Sequence, residues 1–236
     1  GRGLYTVPGT MDRAVGGPDA VRLADLRSSL RYLIQTFPAA APALQPILDR
    51  QEGKGRPLVG YRAFPRSDFM TYHRPKFSFF VKMISARTLP TEVGGNGDDL
   101  KGWFLNDGDH YVLRDGDEYF NLMPVWDWEL VPGVTRAADA GRMIQREAFA
   151  GAVGGEFSGA ASMKLHFDDE AGHSLSARKF WAAEGDLVVC LTGDLQTHHV
   201  HQPVRTAMDQ CRLRGPVTVG EPVGSFAAVQ PPRGKL

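Results

Sequence analysis

The sequence predicts a mainly β fold, a large antiparallel β-sandwich preceded by a short helical segment. Apolar residues recur clearly at helical spacing near the start of the chain. After Pro57, short runs rich in aromatic and β-branched residues follow one another and are broken by turn residues. One of these runs is apolar on both faces, which is typical of stacked sheets. We therefore divide the chain into an N-terminal segment, residues 1–57, and a β domain, residues 58–236.

The N-terminal segment is predicted to contain two helices. Apolar residues at helical spacing predict the first from Asp19 to Gln35. The second is predicted for Ala43–Arg50, because Pro38 and Pro42 forbid one continuous helix. Gln51–Pro57 is interpreted as a linker, so the two helices must lean on another part of the molecule.

The first half of the β domain is predicted to contain five strands. They are Leu58–Phe64, Lys76–Ser85, Trp103–Asn106, His110–Leu113 and Tyr119–Met123. In the second of these, apolar residues occupy most of both faces. Asn106–Asp109 and Arg114–Asp117 each contain Asp-Gly, which supplies the positive φ that hairpin turns need. The last three strands are therefore predicted to form an antiparallel meander.

The second half is predicted to continue the β series. Arg136–Arg146 is interpreted as a loop or short helix and Gly151–Gly159 as a flexible connection, whereas Ser162–Asp168 alternates as a half-buried strand does. Further strands are predicted at Leu175–Ala182, Asp186–Leu191 and Val204–Arg212. The middle one is fully apolar and is expected to be central. From Gly215 onward no strong core pattern is found, and the chain is expected to end in a tail.

Composition limits the classes of function. Lys and Arg together number 27, as do Asp and Glu, so no global field would attract nucleic acid or an anionic membrane, and neither partner is predicted. No apolar run approaches membrane-spanning length, and Gly1–Leu4 lacks the pattern of a signal peptide, so we interpret the start as a processed or internal boundary. Cys190 and Cys211 can form one disulfide or remain thiols.

Several groups of residues can be interpreted as functional, and each of them also has a purely structural interpretation. A basic run with Asp68 as its only acid can grip a polyanionic sugar chain, or can simply be a solvated surface. It comprises Arg62, Arg66, His73, Arg74, Lys76, Lys82 and Arg87. Tryptophans can stack on sugar rings, but at least two of Trp103, Trp126, Trp128 and Trp181 are expected in the core.

A histidine cluster is the one candidate metal site. His199 and His201 would share a strand face, and His166 or Asp194 could complete a set of nitrogen and oxygen ligands, with His198 alongside. Neutral loop histidines are the preferred interpretation. The sequence contains no phosphate loop, Ser-His-Asp order or Cys cluster, and we predict no cofactor.

A series of short segments is more informative as an ordered set than any one of them is alone. They are Ser85–Thr88, Glu92, Asn96–Phe104, Asp107–Tyr111, Trp126–Trp128, Val131–Thr135, Ala177–Trp181, Leu187–Gly193 and Val204–Thr206, with Gly1–Gly3 ahead of them. In this order they resemble the central β-sandwich domain of polysaccharide lyase family 8, the hyaluronate, chondroitin AC and xanthan lyases.

The resemblance implies a secreted or periplasmic enzyme that cleaves an acidic, uronic-acid-containing polysaccharide by β-elimination. The reaction needs neutralisation of the uronate carboxylate, a base for the C5 proton and a proton donor for the leaving oxygen. In the family, an Asn, a His and a Tyr of an α/α-toroid domain supply most of this. We expect residues 1–57 to be the end of such a toroid and the chain alone to lack the base. Tyr72 and His73 are of the family's acid-base types, but we expect them to be structural.

The resemblance also implies roles for individual residues. Asn96 stands where the family's β-domain Asn stands, and its amide can hydrogen-bond substrate or position catalytic groups. Glu92 is its candidate partner, one residue further upstream than the usual spacing. Arg2 corresponds to an Arg that approaches the cleaved bond, although Thr6 replaces a second Arg. The predicted substrate-binding residues are Arg87, Asp98, Asp99 and Trp103.

Two classes of function remain open. In the first, this chain is the β-domain part of a polysaccharide lyase that is completed by the toroid. In the second, it is a non-catalytic carbohydrate-binding or structural module derived from such a lyase. Asn96, Gly97 and the Asp pair after them can equally be turn residues, because these residue types dominate turns. The sequence does not distinguish which polysaccharide is bound.

Overall fold

A computed structural model of the chain describes residues 26–88, 101–114, 118–119, 122, 125–138, 144–145, 147–220 and 226–229. Their fold is mainly β, with two antiparallel sheets that share a core and a short helical segment ahead of them in the chain. The predicted fold class is confirmed. No helix within these ranges is long and apolar enough to cross a membrane.

The helical segment consists of two short helices with a sharp break between them. The break falls at Pro38, as predicted, because proline cannot donate the next helical hydrogen bond. Pro42 instead falls in the first turn of the second helix, where a missing N–H has no cost, so this helix begins earlier than predicted. The helices are α1, Arg27–Thr36, and α2, Ala41–Gln51. The predicted start at Asp19 lies outside the described residues.

The first sheet has four strands in chain order, each antiparallel to its neighbour. They are β1, Gly60–Phe64; β2, Phe69–His73; β3, Ser78–Lys82; and β4, Asp109–Leu113. Three of them were predicted. We did not predict β2, because its charged neighbours on both sides obscure a run of only five residues.

The remaining described strands are β5, Thr135–Ala137; β6, Ile144–Gln145; β7, Ala150–Gly154; β8, Ser158–Asp168; β9, Ser174–Glu184; β10, Leu187–His198; β11, Val204–Thr206; β12, Val217–Gly220; and β13, Phe226–Val229. The second sheet is built around two long central strands, β8 and β9, with β10 beside β9. Among the described strands, two further pairs lie outside this sheet, β5 with β11 and β12 with β13.

The first core lies between the two sheets. Alternate residues of β3 and β9 point into it, among them Phe79 and Val81 from one sheet and Leu175 and Trp181 from the other. All four are almost completely buried. Burial of alternate side chains on strands of period two is the pattern that the sequence predicted for a sandwich.

The second core lies on the opposite face of β3 and β4. Phe80 and Tyr111 from these strands pack there against loop residues that include Leu105, Trp126 and Val131. The prediction that β3 is apolar on both faces is therefore confirmed. Trp126 and Trp181 are buried in different cores, and Trp103 and Trp128 are partly exposed, so the expectation of at least two buried tryptophans is also met.

The predicted meander of three strands is wrong. Residues 103–106 form turns rather than a strand, and β4 pairs with β3. Tyr119 also lies in a turn. The chemistry predicted for the first Asp-Gly turn was nevertheless right, since Asn106 and Gly108 have φ of 73° and 84°. The second predicted turn, Arg114–Asp117, lies mostly outside the described residues. The turn residues thus indicated a bend, but the bend does not connect two paired strands.

The glycine-rich stretch Gly151–Gly159 is not the flexible connection that was predicted. It contributes β7 and the start of β8, which pair with each other. The Tyr61 ring packs directly on this backbone, and a Cβ at Gly154 or Gly159 would lie 2.5 or 2.6 Å from ring carbons. Gly154 and Gly159 are therefore required by close packing, not by flexibility.

The apolar strand β10 is not central. Among the described strands it pairs only with β9, and Leu187 and Leu191 are 63% and 58% exposed. On the outer face of these two strands, Phe180 of β9 pairs with Leu191. Apolar character was thus misread as burial on both sides. Cys190 and Cys211 are free thiols.

Three further predictions need correction. The described parts of Arg136–Arg146 are not the predicted loop or short helix, since residues 136–137 belong to β5 and residues 144–145 form β6, while residues 139–143 and 146 lie outside the described residues. Only Val204–Thr206 of the predicted strand Val204–Arg212 is a strand. Its remainder binds loops instead, as described below. The region after Gly215, where no strong core pattern was found, contains β12 paired with β13, and the last residues, where a tail was expected, lie outside the described residues.

Candidate functional site

The structure describes two of the seven predicted site residues. They are Arg87 and Trp103, which flank the stretch that carries four of the others. Arg2, Glu92, Asn96, Asp98 and Asp99 lie outside the described residues. Their roles therefore stay predictions, and the geometry that follows concerns the residues on either side of them.

Arg87 lies just after β3 and ties the two sheets together. Its Nη2 donates to Asp68 Oδ1 at 2.6 Å and to the carbonyl oxygen of Ala150 at 3.1 Å. Its Nη1 donates to the carbonyl oxygen of Ala148 at 2.5 Å. The side chain is 50% exposed, so the guanidinium is fixed on one side and open to solvent on the other.

Asp68 is the acceptor at the centre of this arrangement. Its side chain is 1% exposed, and its backbone adopts the left-handed conformation with φ of 47° at the turn between β1 and β2. Oδ2 accepts hydrogen bonds from Ser85 Oγ at 2.6 Å and Thr88 Oγ1 at 3.0 Å. The buried carboxylate is thus neutralised by Arg87 and solvated by two hydroxyls, as a buried charge requires.

On the other side of the undescribed stretch, Trp103 belongs to a series of turns that leads into β4. Its neighbour Phe104 is covered by the guanidinium of Arg136, whose Cζ lies 3.9 Å from the ring centroid. Leu105 is buried in the second core. Because its neighbours are held in this way, the partly exposed Trp103 ring stands on an anchored turn.

A polar group is buried where the loops meet the first core. Lys179 of β9 donates to the carbonyl oxygens of Gly108 and Gly133, and burial lowers its pKa to about 8. Burial raises the pKa of Asp109 to about 7, although Tyr111 donates a hydrogen bond to its Oδ2 at 2.8 Å. Since both groups are enclosed, they hold turns in place and offer no surface to a substrate.

His110 links the two cores. Its Nδ1 accepts a hydrogen bond from Trp181 Nε1 at 3.3 Å, and its Nε2 lies 3.0 Å from the carbonyl oxygen of Met208. These partners assign the neutral tautomer with the proton on Nε2. Burial lowers the pKa of His110 to about 4, so the ring is uncharged at neutral pH.

Tyr72 and His73 have structural contacts, as expected. Tyr72 is completely buried and donates to the carbonyl oxygen of Gly185 at 2.9 Å. His73 Nδ1 lies 2.8 Å from Ser78 Oγ, and burial lowers the pKa of the ring. Both side chains are thus engaged in contacts within the protein.

The basic run does not form one continuous surface. Arg74 and Lys76 lie 3.6 and 3.8 Å from Asp186 of the second sheet. Lys82 donates to the carbonyl oxygen of Met83 at 2.6 Å, and burial lowers its pKa. Arg87 is therefore the member of the run whose fixed cation stands beside the stretch of predicted site residues.

The histidine cluster gives no metal site. His198 ends β10, and His199 follows with φ of 53°, so the predicted shared strand face does not form. The rings of His198 and His199 lie 3.9 Å apart between centroids. Across the described ranges, no group of three or more His, Cys, Asp or Glu residues could hold a metal ion.

Sequence reasoning missed the role of Asp68. It was noted only as the single acid of a basic run, whereas the structure shows it as the anchor for three side chains. A signal was present, since Ser85, Arg87 and Thr88 are hydrogen-bond donors clustered within four residues. The pairing of that cluster with a turn seventeen or more residues earlier could not be read from the chain.

The sequence of the chain is similar to those of known proteins. The model of polysaccharide lyase family 8, super-sandwich domain, matches residues 59–230. Chondroitinase-AC of Pedobacter heparinus is 33% identical over 165 residues, which cover 66% of this chain and 23% of that protein. A hyaluronate lyase of Enterococcus faecalis is 24% identical over 151 residues, 57% of this chain and 15% of that protein. The matched part of the chain thus covers less than a quarter of the length of these relatives.

Solved structures share the fold. Chondroitinase AC lyase, solved with oligosaccharides, matches 93% of this chain and 34% of its own, with a TM-score of 0.75 and 26% identity. Streptomyces coelicolor A3 chondroitin AC lyase matches 79% of this chain and 27% of its own, with a TM-score of 0.61 and 25% identity. Paenibacillus xanthan lyase matches 67% and 16%, with a TM-score of 0.54 and 25% identity. Because the family model matches well over half of the sequence, the chain belongs to polysaccharide lyase family 8, and residues 59–230 match its super-sandwich domain.

Proposed function

We propose that this chain is the β-sandwich part of a lyase that cleaves an acidic, uronic-acid-containing polysaccharide by β-elimination. The observation that carries the proposal is the match of residues 59–230 to the super-sandwich domain of a lyase family. The names of the relatives, which include chondroitin AC, hyaluronate and xanthan lyases, support a polysaccharide substrate.

The base and the proton donor come from a helical toroid domain, and residues 1–57 belong to its end. Two observations support this division of labour. The relatives are several times longer than this chain. In addition, the Tyr and His side chains described in the first sheet are engaged in packing and structural hydrogen bonds; they are Tyr61, Tyr72, His73, His110 and Tyr111.

The sandwich contributes binding and orientation of the sugar chain. Asn96 hydrogen-bonds the substrate or the groups around the uronate, with Glu92 as its partner, and Arg2 approaches the cleaved bond. Arg87 contributes a fixed positive charge for an acidic sugar, and Trp103 a ring on which a sugar can stack. Asp98 and Asp99 accept hydrogen bonds from sugar hydroxyls. The enzyme acts in a secreted or periplasmic setting, where such polymers are found.

The test is an assay of the sandwich joined to a family toroid domain, with and without Asn96→Ala. Hyaluronan, chondroitin and xanthan are supplied in turn, and the unsaturated product is followed by ultraviolet absorbance. We expect one of these polymers to be cleaved, and Asn96→Ala to lower kcat by about 10²-fold, the order found when one polar group at a developing charge is removed. Binding without cleavage by the joined protein would instead favour the non-catalytic carbohydrate-binding module.

A further inference from the structure

The contacts of Asp68 carry an inference beyond the predicted site residues. We propose that Asp68 is a positioning residue, which holds the guanidinium of Arg87 and the backbone of residues 85–88 in the orientation that presents Arg87 to an acidic sugar. The inference rests on the proposed function, because it concerns how Arg87 meets the substrate. Asp68 itself is buried, so it acts through Arg87.

The first step of the argument is the geometry around the carboxylate. The two carboxylate oxygens of Asp68 have different hydrogen-bond donors. Oδ1 accepts from Arg87, and Oδ2 accepts from Ser85 and Thr88. Ser85 Oγ also accepts from the backbone N–H of Arg87 at 3.2 Å, and Thr88 Oγ1 from that of Ser85 at 3.1 Å. One carboxylate therefore fixes both the side chain of Arg87 and the turn that carries it.

The second step is that this turn is attached to the other sheet as well. Ala86 N–H donates to the carbonyl oxygen of Glu147 at 2.8 Å, just ahead of the carbonyl groups of Ala148 and Ala150 that Arg87 binds. The guanidinium is thus held between a carboxylate of the first sheet and backbone carbonyls of the second. A shift of the turn would break contacts to both sheets.

The third step concerns the donors that remain on Arg87. A guanidinium has five N–H donors. The contacts to Asp68, Ala148 and Ala150 use both donors of Nη2 and one of Nη1. The Nε donor and the second Nη1 donor have no acceptor in the described part of the chain, and half of the side chain faces solvent. These two donors are available to a sugar carboxylate or sulfate, on a group already held in place.

Asp68→Asn tests the role of the carboxylate with little effect on the backbone. Asn tolerates the left-handed conformation that Asp68 adopts, and it keeps a carbonyl oxygen for the hydroxyls of Ser85 and Thr88. It removes the charge that orients Arg87. Because Arg87 is half exposed, its own charge stays solvated in the variant.

The matched control is Asp169→Asn. Asp169 is another largely buried aspartate in a turn, where its Oδ2 lies 2.8 Å from His173 Nδ1 and its Oδ1 accepts from backbone N–H groups. It lies between β8 and β9, away from Arg87 in the sheet. The control therefore loses a comparable set of local contacts without touching Arg87.

The experiment measures the affinity of the 236-residue chain for oligosaccharides of hyaluronan, chondroitin sulphate and xanthan, in the native form and in four variants. The variants are Asp68→Asn, Arg87→Ala, the double variant and Asp169→Asn. We expect each single change at Asp68 or Arg87 to weaken binding about three- to fivefold, the range for one partly exposed charged contact. We expect the double variant to bind no more weakly than Arg87→Ala, and Asp169→Asn to bind as the native chain does.

A second measurement reports on Arg87 without any ligand. Resolved Nη signals in ¹⁵N NMR indicate hindered rotation about the Cζ–Nη bonds, which we expect in the native chain and in Asp169→Asn but not in Asp68→Asn. Equal binding by Asp68→Asn and the native chain, or a further loss when Asp68→Asn is added to Arg87→Ala, would overturn the inference. Failure of the native chain to bind any of these sugars would count against the proposed function instead, and the NMR signals would still decide whether Asp68 fixes Arg87.

Discussion

The two cores of this sandwich share a sheet but are built by different means. The first core is closed on both sides by paired strands, and alternation along β3 and β9 fills it. The second core has β3 and β4 on one side and loops on the other. Regular hydrogen bonds between paired strands hold the two sheets around the first core. The loops that cover the second core need individual hydrogen bonds, which we call ties.

Most of those ties come from one short segment, residues 207–212, which we call the strap. Its backbone carbonyl oxygens accept from Gly133 N–H at 2.8 Å and from Trp126 Nε1 at 3.1 Å. Asp209 Oδ1 accepts from Tyr119 at 2.9 Å, and burial raises the pKa of this carboxyl. One face of the sheet is thus stabilised by repeated strand pairing and the other by a few specific contacts.

The largest expected difference between the cores follows from removal of a tryptophan from each. Trp181→Ala leaves a cavity between two rigid sheets, and we expect a loss of about 4 kcal/mol in the free energy of unfolding. Trp126 lies beneath loops that can relax into the space left by Trp126→Ala, so for this variant we expect a loss of about 2 kcal/mol in the free energy of unfolding. Guanidinium denaturation followed by circular dichroism measures both. Equal losses would show that the loop-covered core is as rigid as the first.

A pH profile tests the residue that joins the cores. The folded-state pKa of His110 is depressed to about 4 by burial, below its ordinary value of 6.5. The unfolded chain therefore binds more protons between these values, and stability falls as the pH drops from about 6.5 to 4, by roughly 2 to 3 kcal/mol for this group. The raised pKa of Asp109 acts in the opposite sense over much of this window.

The diagnostic quantity is therefore the difference between the native chain and His110→Gln. Gln can accept from Trp181 and donate to Met208, but it does not titrate. Thermal unfolding at a series of pH values should show the native chain losing stability relative to the variant below pH 6.5. Parallel profiles for the two proteins would contradict the assignment of a neutral, buried His110.

The same contrast explains how much of the fold could be predicted from the sequence. Strands that line the first core can be recognised in the sequence because apolar residues occupy alternate positions, as Met163, Leu165 and Phe167 do in β8. The strap gives no such signal, because its backbone and the Asp209 side chain bind groups more than seventy residues away. The apolar residues of β10 and the glycines near Tyr61 led to wrong predictions for the same reason. Whether such residues are buried, flexible or closely packed depends on the residues that lie opposite them in the fold.

Removal of one tie of the strap should open the second core alone. The Gln210 side chain accepts from Asp127 N–H at 2.6 Å and donates to the carbonyl oxygens of Asp127 and Leu130 at 3.0 and 3.2 Å. We expect Gln210→Ala to cost about 1 to 2 kcal/mol and to speed amide hydrogen exchange in residues 126–134, with β8 and β9 unchanged. Gln196→Ala, at an exposed position of β10, is the control. Uniformly faster exchange would mean that the cores do not open separately.

The smallest effect is expected at the contact between the sheets on the surface. Asp186 lies 3.6 Å from Arg74 and is 59% exposed, so solvent screens the pair. We expect Asp186→Asn to change the free energy of unfolding by less than about 0.5 kcal/mol and this change to vanish in high salt. Denaturation at low and high salt measures it. A loss above about 1 kcal/mol in the free energy of unfolding would show that surface charges help to hold the two sheets together.

The candidate site was predictable only in part. Arg87 and Trp103 could be selected because cations and aromatic rings suit acidic sugars, and the structure places both on anchored turns. The anchors themselves, Asp68 for one turn and Arg136 for the other, could not be assigned from the sequence. Each acts across a distance in the chain that local patterns do not span.

The most direct test of the proposed function compares the chain alone with the chain joined to a helical toroid domain of the family. Both are incubated with hyaluronan, chondroitin and xanthan, and unsaturated product is followed by ultraviolet absorbance. We expect product from the joined protein and none from the chain alone, because the proposed function assigns the proton-abstracting groups to the toroid. Product from the chain alone would contradict that assignment.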